Sequence, residues 1–553
     1  MTHRPEAWRA PRRTDAHRAY ARERDLLLEL RDDLDTARQK FTWPRPEMFN
    51  WALEWFDVIA DGNQRPALEL VEDDGSVSAV SYHELSVRSD QLANWLAGLG
   101  IRRSDRVMVV LGQQVELWET ILACLKLGAV VIPAYTSLTR AEATDRITRG
   151  GVRHLVARSD TAPLFDEVEL RTRIAVGPPV AGWHDHRAAR QAPNLFFPNA
   201  VTPAADPAFA YFTSGTTSVP KLVLHTHASY PIGHLSSLYF NGLLPGDRHL
   251  NVSAPGWAKH SWSSFFVPFA AEATLVVPSD GGVDPARLPR LLAEREVTSV
   301  CAPPSFWARM VEHLGSAKPR LREATSAGEP LPTEVADAVD AAWRVTVREG
   351  YGQTETTALI GTTPGMQRRP GWLGKALPGW DIVLDDGAIC VDLTTSPVGM
   401  MAGYDVGGPR AAAVAADGSY RTGDIGESGP DGYLRVLGRS DDVFKSGGHR
   451  VSPYELEAVL RSHPAVRDAA VVPTAHPTLG LAAHAVVEVA DGHAVDTAEL
   501  LGHVDARVSE ALRVHSITFT DRLPRTTSGK VRRAALVPEP APHTLQPPEE
   551  ENR

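Results

Sequence analysis

The sequence predicts an α/β protein in two parts: a large N-terminal domain of mixed and parallel sheets flanked by helices, then a small mobile α+β domain. Three observations predict this. From about residue 85, short apolar runs alternate with stretches of helical periodicity. Two of those runs lead into polar, glycine-containing motifs, and ligands of open α/β sheets collect at such strand ends. Near residue 440 the texture changes, and the chain beyond it has a pattern of its own. With 553 residues, 43% of them hydrophobic, the chain is long enough for more than one core.

The elements follow in order. Residues 1–48 are rich in Arg, Asp and Glu, and 25–38 are expected to form a solvated amphipathic helix. Residues 84–99 carry helical apolar spacing. Gly98 and Gly100 end that helix and do not form a dinucleotide fingerprint. Residues 107–111 form a buried strand, 116–127 a helix and 129–133 a second strand, which is a βαβ unit. Further strands are expected at 154–157, 173–176, 208–213, 274–278, 298–303 and 344–348. The small domain contains a helix at 453–462, strands at 466–472 and 482–489, and a helix at 497–513. The expected domains are 1–438 and 441–537, and 538–553, rich in Pro and Glu, are expected to be a disordered tail.

Composition narrows the function. A net charge of −11 argues against general nucleic-acid binding and against an anionic membrane surface. Cys124, Cys301 and Cys390 are far apart and odd in number, with no metal or disulfide spacing, so a reducing cytoplasm fits. The charged N-terminus lacks an apolar segment of the secretory kind. No apolar run approaches the roughly 20 residues that span a bilayer. An oligomer is compatible with all of this.

The chemistry sits in four motifs. Thr213, Ser214, Gly215, Thr216 and Thr217 open a hydroxyl-rich loop that closes on Lys221. Backbone N–H groups, hydroxyls and one cation are what a triphosphate needs. The loop is not a Walker motif, since the second Gly and the Gly-Lys-Ser/Thr ending are missing. An ordinary polar loop after a strand is the other reading. Far away lies Pro524-Arg525-Thr526-Thr527-Ser528-Gly529-Lys530, and between them stand Tyr351-Gly352-Gln353-Thr354-Glu355 and Tyr420-Arg421-Thr422-Gly423-Asp424. Two unrelated polar motifs at two strand ends imply one shared cleft.

Together and in this order, the motifs resemble the adenylate-forming superfamily of acyl-CoA synthetases, luciferases and adenylation domains, over roughly residues 45–535. Within it the chain is most similar to medium-chain acyl-CoA synthetases, with benzoate-CoA ligases as relatives. That closer likeness rests on Phe49-Asn50-Trp51-Ala52-Leu53, Gly256-Trp257-Ala258-Lys259, Ala327-Gly328-Glu329-Pro330-Leu331 and Gly399-Met400-Met401-Ala402-Gly403-Tyr404. The resemblance implies two half-reactions. A carboxylic acid attacks the α-phosphate of ATP to give acyl-AMP and pyrophosphate, and a thiol, usually of coenzyme A, then takes the acyl group.

The resemblance also implies roles. Lys530, Glu355 and Thr213 are catalytic, with Lys530 meeting charge at the α-phosphate and Glu355 holding Mg²⁺. The nucleotide is lined by residues 213–217 and Lys221, Gly328, Glu329, Pro330, Glu349, Gly350, Tyr351, Gly352, Gln353 and Thr354, with Asp424 and Arg439 on ribose or phosphate. Lys445, Gly447, Gly448, His449 and Arg450 face a pantetheine tunnel, Asp441 is the hinge, and Trp257 walls the acyl pocket. Bland alternatives stand beside these: a basic tail at Lys530, a helix-terminal carboxylate at Glu355, turn residues at Asp424 and Asp441, a hinge salt bridge at Arg439, a Gly turn at 447–448 and a core Trp257. Trp257, Trp262, Phe265 and Phe266 suggest an apolar, bulky acyl or aryl group. His225 and His227 receive no ligand role.

Two departures from the family pattern stand out. Position 218, usually glycine, is Ser, at a strain of roughly 1 kcal/mol if φ is positive there. Where relatives grip coenzyme A phosphates with basic residues, this chain has Leu479 and Ser516. The resemblance therefore leaves open a carrier protein as acceptor, or an enzyme of one half-reaction.

Overall fold

The structure, a computed structural model, describes residues 13–213, 221–279, 283–405, 417–447, 449–509, 512–525 and 531–536. The expected tail at 538–553 lies outside the described residues. The chain divides into two compact units: Met1–Val383 with Cys390–Arg421 and Ser428–Leu434, and Leu384–Ile389 with Thr422–Glu427 and Arg435–Arg553.

The first unit is built on two large sheets. The nine-stranded sheet has Pro66–Val71, Thr274–Pro278, Arg248–Asn251, Ser299–Cys301, Glu323–Ala327 and Val347–Gln353 side by side and parallel. Val77–Ser81 at one edge, and Thr357–Gly361 with Lys375–Ala376 at the other, run antiparallel to their neighbours. In the eight-stranded sheet, Pro207–Thr213, Val130–Pro133, Arg106–Val110, His154–Arg158, Thr172–Val176 and His184–Asp185 are parallel. Lys221–Thr226 and Gly403–Asp405 close its edge antiparallel. Strands such as Arg106–Val110 and Val130–Pro133 are apolar almost throughout because helices cover both faces of a parallel sheet.

The expected βαβ unit is present. Helix Val115–Leu127 links the parallel strands Arg106–Val110 and Val130–Pro133, and Gly128 at φ 72° ends it in the left-handed conformation. Buried charges of the first unit find partners. Lys126, with no exposed side chain, sits 2.7 Å from Asp57 and 2.6 Å from Asp90. Arg348 lies 2.5 Å from Glu323 and donates to the carbonyls of Phe240, Asn241 and Thr362.

Three expectations need correction. Residues 25–38 are not one solvated helix: Asp15–Glu29 and Leu34–Lys40 are separate, and Asp33 caps the second by accepting from the Thr36 N–H. Tyr20 and Leu27 are buried, and Arg24 donates to the carbonyl of Ala270. The strand expected at 344–348 is Val347–Gln353, because Arg344, at φ 55°, still caps helix Thr333–Trp343. The helix expected at 497–513 stops at Asp505. The β-branched run beyond it instead forms strand Val514–Thr520.

The second unit carries a three-stranded sheet. Val466–His476 and Gly480–Val489 form a hairpin, and Val514–Thr520 lies parallel to Gly480–Val489. Leu456 and Leu460 of helix Pro453–Arg461, and Leu500 and Val504 of helix Thr497–Asp505, bury one face of the sheet. Among the described residues, no helix is long and apolar enough to cross a membrane.

Candidate active site

The hydroxyl loop is closed by an antiparallel pair. Thr213 and Lys221 are register partners, ending Pro207–Thr213 and starting Lys221–Thr226. Ser214, Gly215, Thr216 and Thr217 lie outside the described residues. The Lys221 ammonium sits 5.0 Å from the ring centre of Tyr404, a cation–π contact. The Tyr404 phenol donates to Glu355 Oε1 at 2.9 Å. One aromatic residue thus joins the cation of the first motif to the carboxylate of the second.

A second link is buried. His225, on the strand that follows the loop, donates from Nε2 to the Thr354 carbonyl at 2.6 Å. Its Nδ1 lies 3.0 Å from the Ser229 hydroxyl. Burial lowers His225 to about 4, so the ring is neutral near pH 7, and the Ser229 hydroxyl donates to Nδ1. With both nitrogens spent, His225 is no metal ligand, and its role is to hold the 351–355 turn to the loop-bearing strand.

That turn is tightly specified. Tyr351, Gly352 and Gln353 belong to the strand rather than lying beyond it, and they pair with Thr357–Gly361. A Cβ on Gly352 would stand 1.9 Å from the Thr357 carbonyl oxygen, so only glycine fits. Thr357 itself has φ 66°, a strain of about 1–3 kcal/mol for a β-branched residue. Its hydroxyl donates to the Gly233 carbonyl at 3.1 Å, and Gln353 N–H donates to the Thr356 hydroxyl at 3.1 Å. The buried Tyr420 phenol donates to Gln353 Oε1 at 2.8 Å. Burial and then the nearby Glu355 carboxylate push Tyr420 far above the usual tyrosine range, so it stays protonated.

The third strand end completes this face. Gly328, Glu329 and Pro330 follow strand Glu323–Ala327. Glu349 reaches this segment by accepting the Leu331 N–H at 3.0 Å. Desolvation lifts its carboxyl to about 7, against the pull of that bond and of Arg368. Gly350 pairs with Ala327 across the sheet. Lys259 donates to the Ala327 carbonyl at 3.0 Å. Trp257 is half-buried, its ring edge-on to Tyr135 with centres 6.2 Å apart. Phe265 and Phe266 are fully buried and pack on Trp51 and Phe269, so they belong to the core and do not line a pocket.

In the second unit, Asp424 and Arg439 meet at 3.3 Å, and Arg439 also donates to the Thr422 carbonyl. Asp441 is exposed and accepts from the Ser440 hydroxyl. Lys445, Gly447 and His449 are exposed on a hairpin of Phe444–Ser446 and His449–Val451. Gly448 lies outside the described residues, as does the Arg450 side chain. Gly447 has φ 54° and donates to the Leu479 carbonyl. Ser516 bonds to His484 Nδ1 at 2.7 Å. Lys530 lies outside the described residues, but its flanks do not: Arg525 bridges Val531, and Arg533 pairs with the buried Glu457 at 2.7 Å. Arg533 is therefore anchored rather than part of a solvated tail. Among the described residues no group of three His, Cys, Asp or Glu could hold a metal.

Sequence reasoning missed the connecting residues. Tyr404 lies 49 positions from Glu355, and His225 lies 129 from Thr354. Register was the available signal: a strand pairing back on a strand-end loop presents its side chains to the same end of the sheet.

Comparisons with known proteins follow the same lines. The AMP-binding enzyme family matches residues 58–404, and the AMP-binding enzyme C-terminal domain matches 455–530. The chain is 34% identical over 515 residues to "4-hydroxybutyrate--CoA ligase 1" of Metallosphaera sedula, covering 88% of this chain and 90% of that one. It is 30% identical to "Acyl-coenzyme A synthetase ACSM3, mitochondrial" of Mus musculus, covering 91% and 92%. The crystal structure of a benzoate CoA ligase from Burkholderia xenovorans LB400 is similar at 25% identity and a TM-score of 0.77, covering 88% of this chain and 100% of that one. This chain belongs to the AMP-binding enzyme family.

Proposed function

We propose that the protein is an ATP-dependent, AMP-forming acid–CoA ligase. It activates a carboxylic acid as acyl-AMP and passes the acyl group to coenzyme A. The observation that carries this reading is the Lys221–Tyr404–Glu355 chain, which brings the loop-closing cation beside the second motif's carboxylate. The names of the relatives, ligases and synthetases of coenzyme A, support it.

In-line transfer at a phosphate is mostly positioning and charge neutralisation. On this reading the 213–217 loop and Lys221 hold the phosphates, and Gly328–Pro330 with Glu349–Thr354 line the nucleotide. Asp424 and Arg439 serve the ribose or phosphate, and Lys530 neutralises charge at the α-phosphate. A single carboxylate such as Glu355 suits Mg²⁺, which takes most of its ligands from phosphates and water. When bound, the ion would neutralise charge on the polyphosphate. Residues 1–438 and 441–537 act as two domains about a hinge at Asp441, and Lys445 to Arg450 border the pantetheine path. Three free, buried cysteines support a cytoplasmic location.

A second acceptor has one observation in its favour. The Leu479 methyl would come within 2.9 Å of a Cβ on Gly447, so an apolar residue flanks the thiol face where a phosphate-gripping cation is expected. A phosphopantetheine arm on a carrier protein would suit that surface.

The test is acid-dependent pyrophosphate release across aliphatic, aromatic and polycyclic acids, followed by coenzyme A or a holo carrier protein. Thioester formation with coenzyme A is expected. Absence of acid-dependent release with every acid would sink the ligase reading.

A further inference from the structure

The carboxyl ends of adjacent parallel strands hold a group that the function above does not use. Strands Arg248–Asn251, Ser299–Cys301 and Glu323–Ala327 are neighbours, and the third runs two residues past the ends of the other two. Lys259 lies in the segment after the first of them and reaches across to the Ala327 carbonyl at the end of the third, 3.0 Å away. An ammonium has three donors. Among the described residues this is the one hydrogen bond that Lys259 makes. It is half-buried, beside Cys301 and the Glu329 carboxylate. Burial lowers its pKa, which is the behaviour of an amine held in a dry cleft without a full set of partners.

Two polar groups at the end of strand Arg248–Asn251 are also short of partners. Asn251 is 4% exposed and donates to the Ser264 hydroxyl, yet its Oδ1 has no partner among the described residues. The Ser253 hydroxyl is buried without one as well. Unsatisfied polar groups are costly to bury and rare unless a ligand or water completes them. Lys259 stands two residues from Trp257 and bonds to the residue before Gly328. It therefore lies between the segment assigned to the acid and the segment assigned to the nucleotide. The acid's reacting end must reach this junction.

We propose that Lys259 is a specificity-determining cation that grips an oxygen of the acid substrate, with Asn251 and Ser253 as polar companions. The oxygen is that of the carboxylate or of an oxygen substituent on the acyl chain. On this reading the acid is recognised by charge as well as by apolar fit.

The inference rests on the ligase reading, and the experiment separates the two. Pyrophosphate release by the full chain is followed with hexanoate, its terminally hydroxylated analogue and benzoate, for the wild type, Lys259→Met and Lys259→Arg. Lys259→Met is expected to raise the KM for acid by about tenfold, the usual worth of one charge-assisted hydrogen bond, with the KM for ATP nearly unchanged. Lys259→Arg retains the charge and should stay close to wild type. An equal rise for all three acids assigns the carboxylate, and a rise confined to the hydroxylated acid assigns the substituent. The proposal is overturned if the acid KM stays at the wild-type value, or if the ATP KM rises as much. If Lys259→Met fails to fold, Lys259→Gln is read in its place. A wild type that shows no acid-dependent release overturns the ligase reading and this inference with it.

Discussion

The two units meet their chemistry with opposite kinds of surface. In the first unit, the 351–355 turn is fixed by side chains withdrawn from water: His225, Tyr420, Thr356 and Thr357 are all buried. In the second, Lys445, Gly447 and His449 are exposed on the hairpin of Phe444–Ser446 and His449–Val451. A phosphate displacement needs fixed geometry, and a passage for a flexible thiol arm needs clearance. Each unit nevertheless buries an ion pair, Arg348–Glu323 in the first and Arg533–Glu457 in the second. Breaking the second is the strongest way to test whether the exposed hairpin depends on a rigid base. Glu457→Gln leaves Arg533 with only the Asp442 carboxylate, 3.5 Å away, and is expected to cost about 3 kcal/mol in denaturant unfolding. Glu457 accepts three hydrogen bonds from the Arg533 guanidinium and one from the Val471 N–H, and the amide of Gln keeps one acceptor oxygen but loses the charge. A change below about 1 kcal/mol would show that the pair is dispensable.

The next contrast is functional. Lys530→Ala is expected to lower pyrophosphate exchange on the order of 10²–10³-fold, by analogy with removal of one transition-state donor. The same variant should still convert synthetic acyl-AMP to thioester. Gly447→Trp should do the reverse, because its Cβ alone would press on Leu479. If both halves fall together in either variant, the two surfaces do not divide the work.

A third comparison uses pH. The Glu349 carboxyl is raised from 4.5 to about 7 by desolvation. The folded state thus holds its proton more tightly than the unfolded state. Its contribution to stability is fullest below pH 4.5, falls as pH rises through about 7 and stays lost above. Across that window the loss is at most about 3 kcal/mol. Glu349→Gln removes the ionisation and should be better tolerated at pH 8 than at pH 5. Equal penalties at both values, read from denaturant midpoints, would place the ordinary carboxylate pKa there.

The sequence made some of this legible, for local reasons. Apolar runs bounded by turn residues marked the strands of both sheets, and Thr213 fell where its strand ends. Asp424 and Arg439 were named separately, and the structure pairs them. The failures have physical causes. Phe265 and Phe266 carry the same composition signal whether they line a pocket or fill a core, and their rings meet Trp51, far away in sequence. The 497–513 segment reads as one helix, but the helix ends at Asp505 and a connection leads from it to strand Val514–Thr520. In the sequence Lys259 stands out only as part of the Gly256-Trp257-Ala258-Lys259 motif, since its tie to Ala327 arises from strand order.

His225 provides the finest test of the contrast, because it touches the turn from behind. It is neutral at working pH, with its folded value near 4, so its role is a single N–H donation to Thr354 and not a charge. His225→Ala deletes that bond, leaves the Thr354 carbonyl unpaired, and opens space under Tyr230, whose ring stacks on the imidazole with centres 4.3 Å apart. The loss of one neutral bond, about 1–1.5 kcal/mol, corresponds to roughly a tenfold fall in kcat/KM. His225→Gln supplies a donor of similar reach and should recover part of it, whereas an imidazole acting as a proton carrier would not be replaced by an amide. The pH–rate profile of the Gln variant should therefore keep the wild-type shape. A lost limb in that profile would convert His225 from a brace into a participant, and the rigid surface of the first unit would then be chemically active where it now reads as structural.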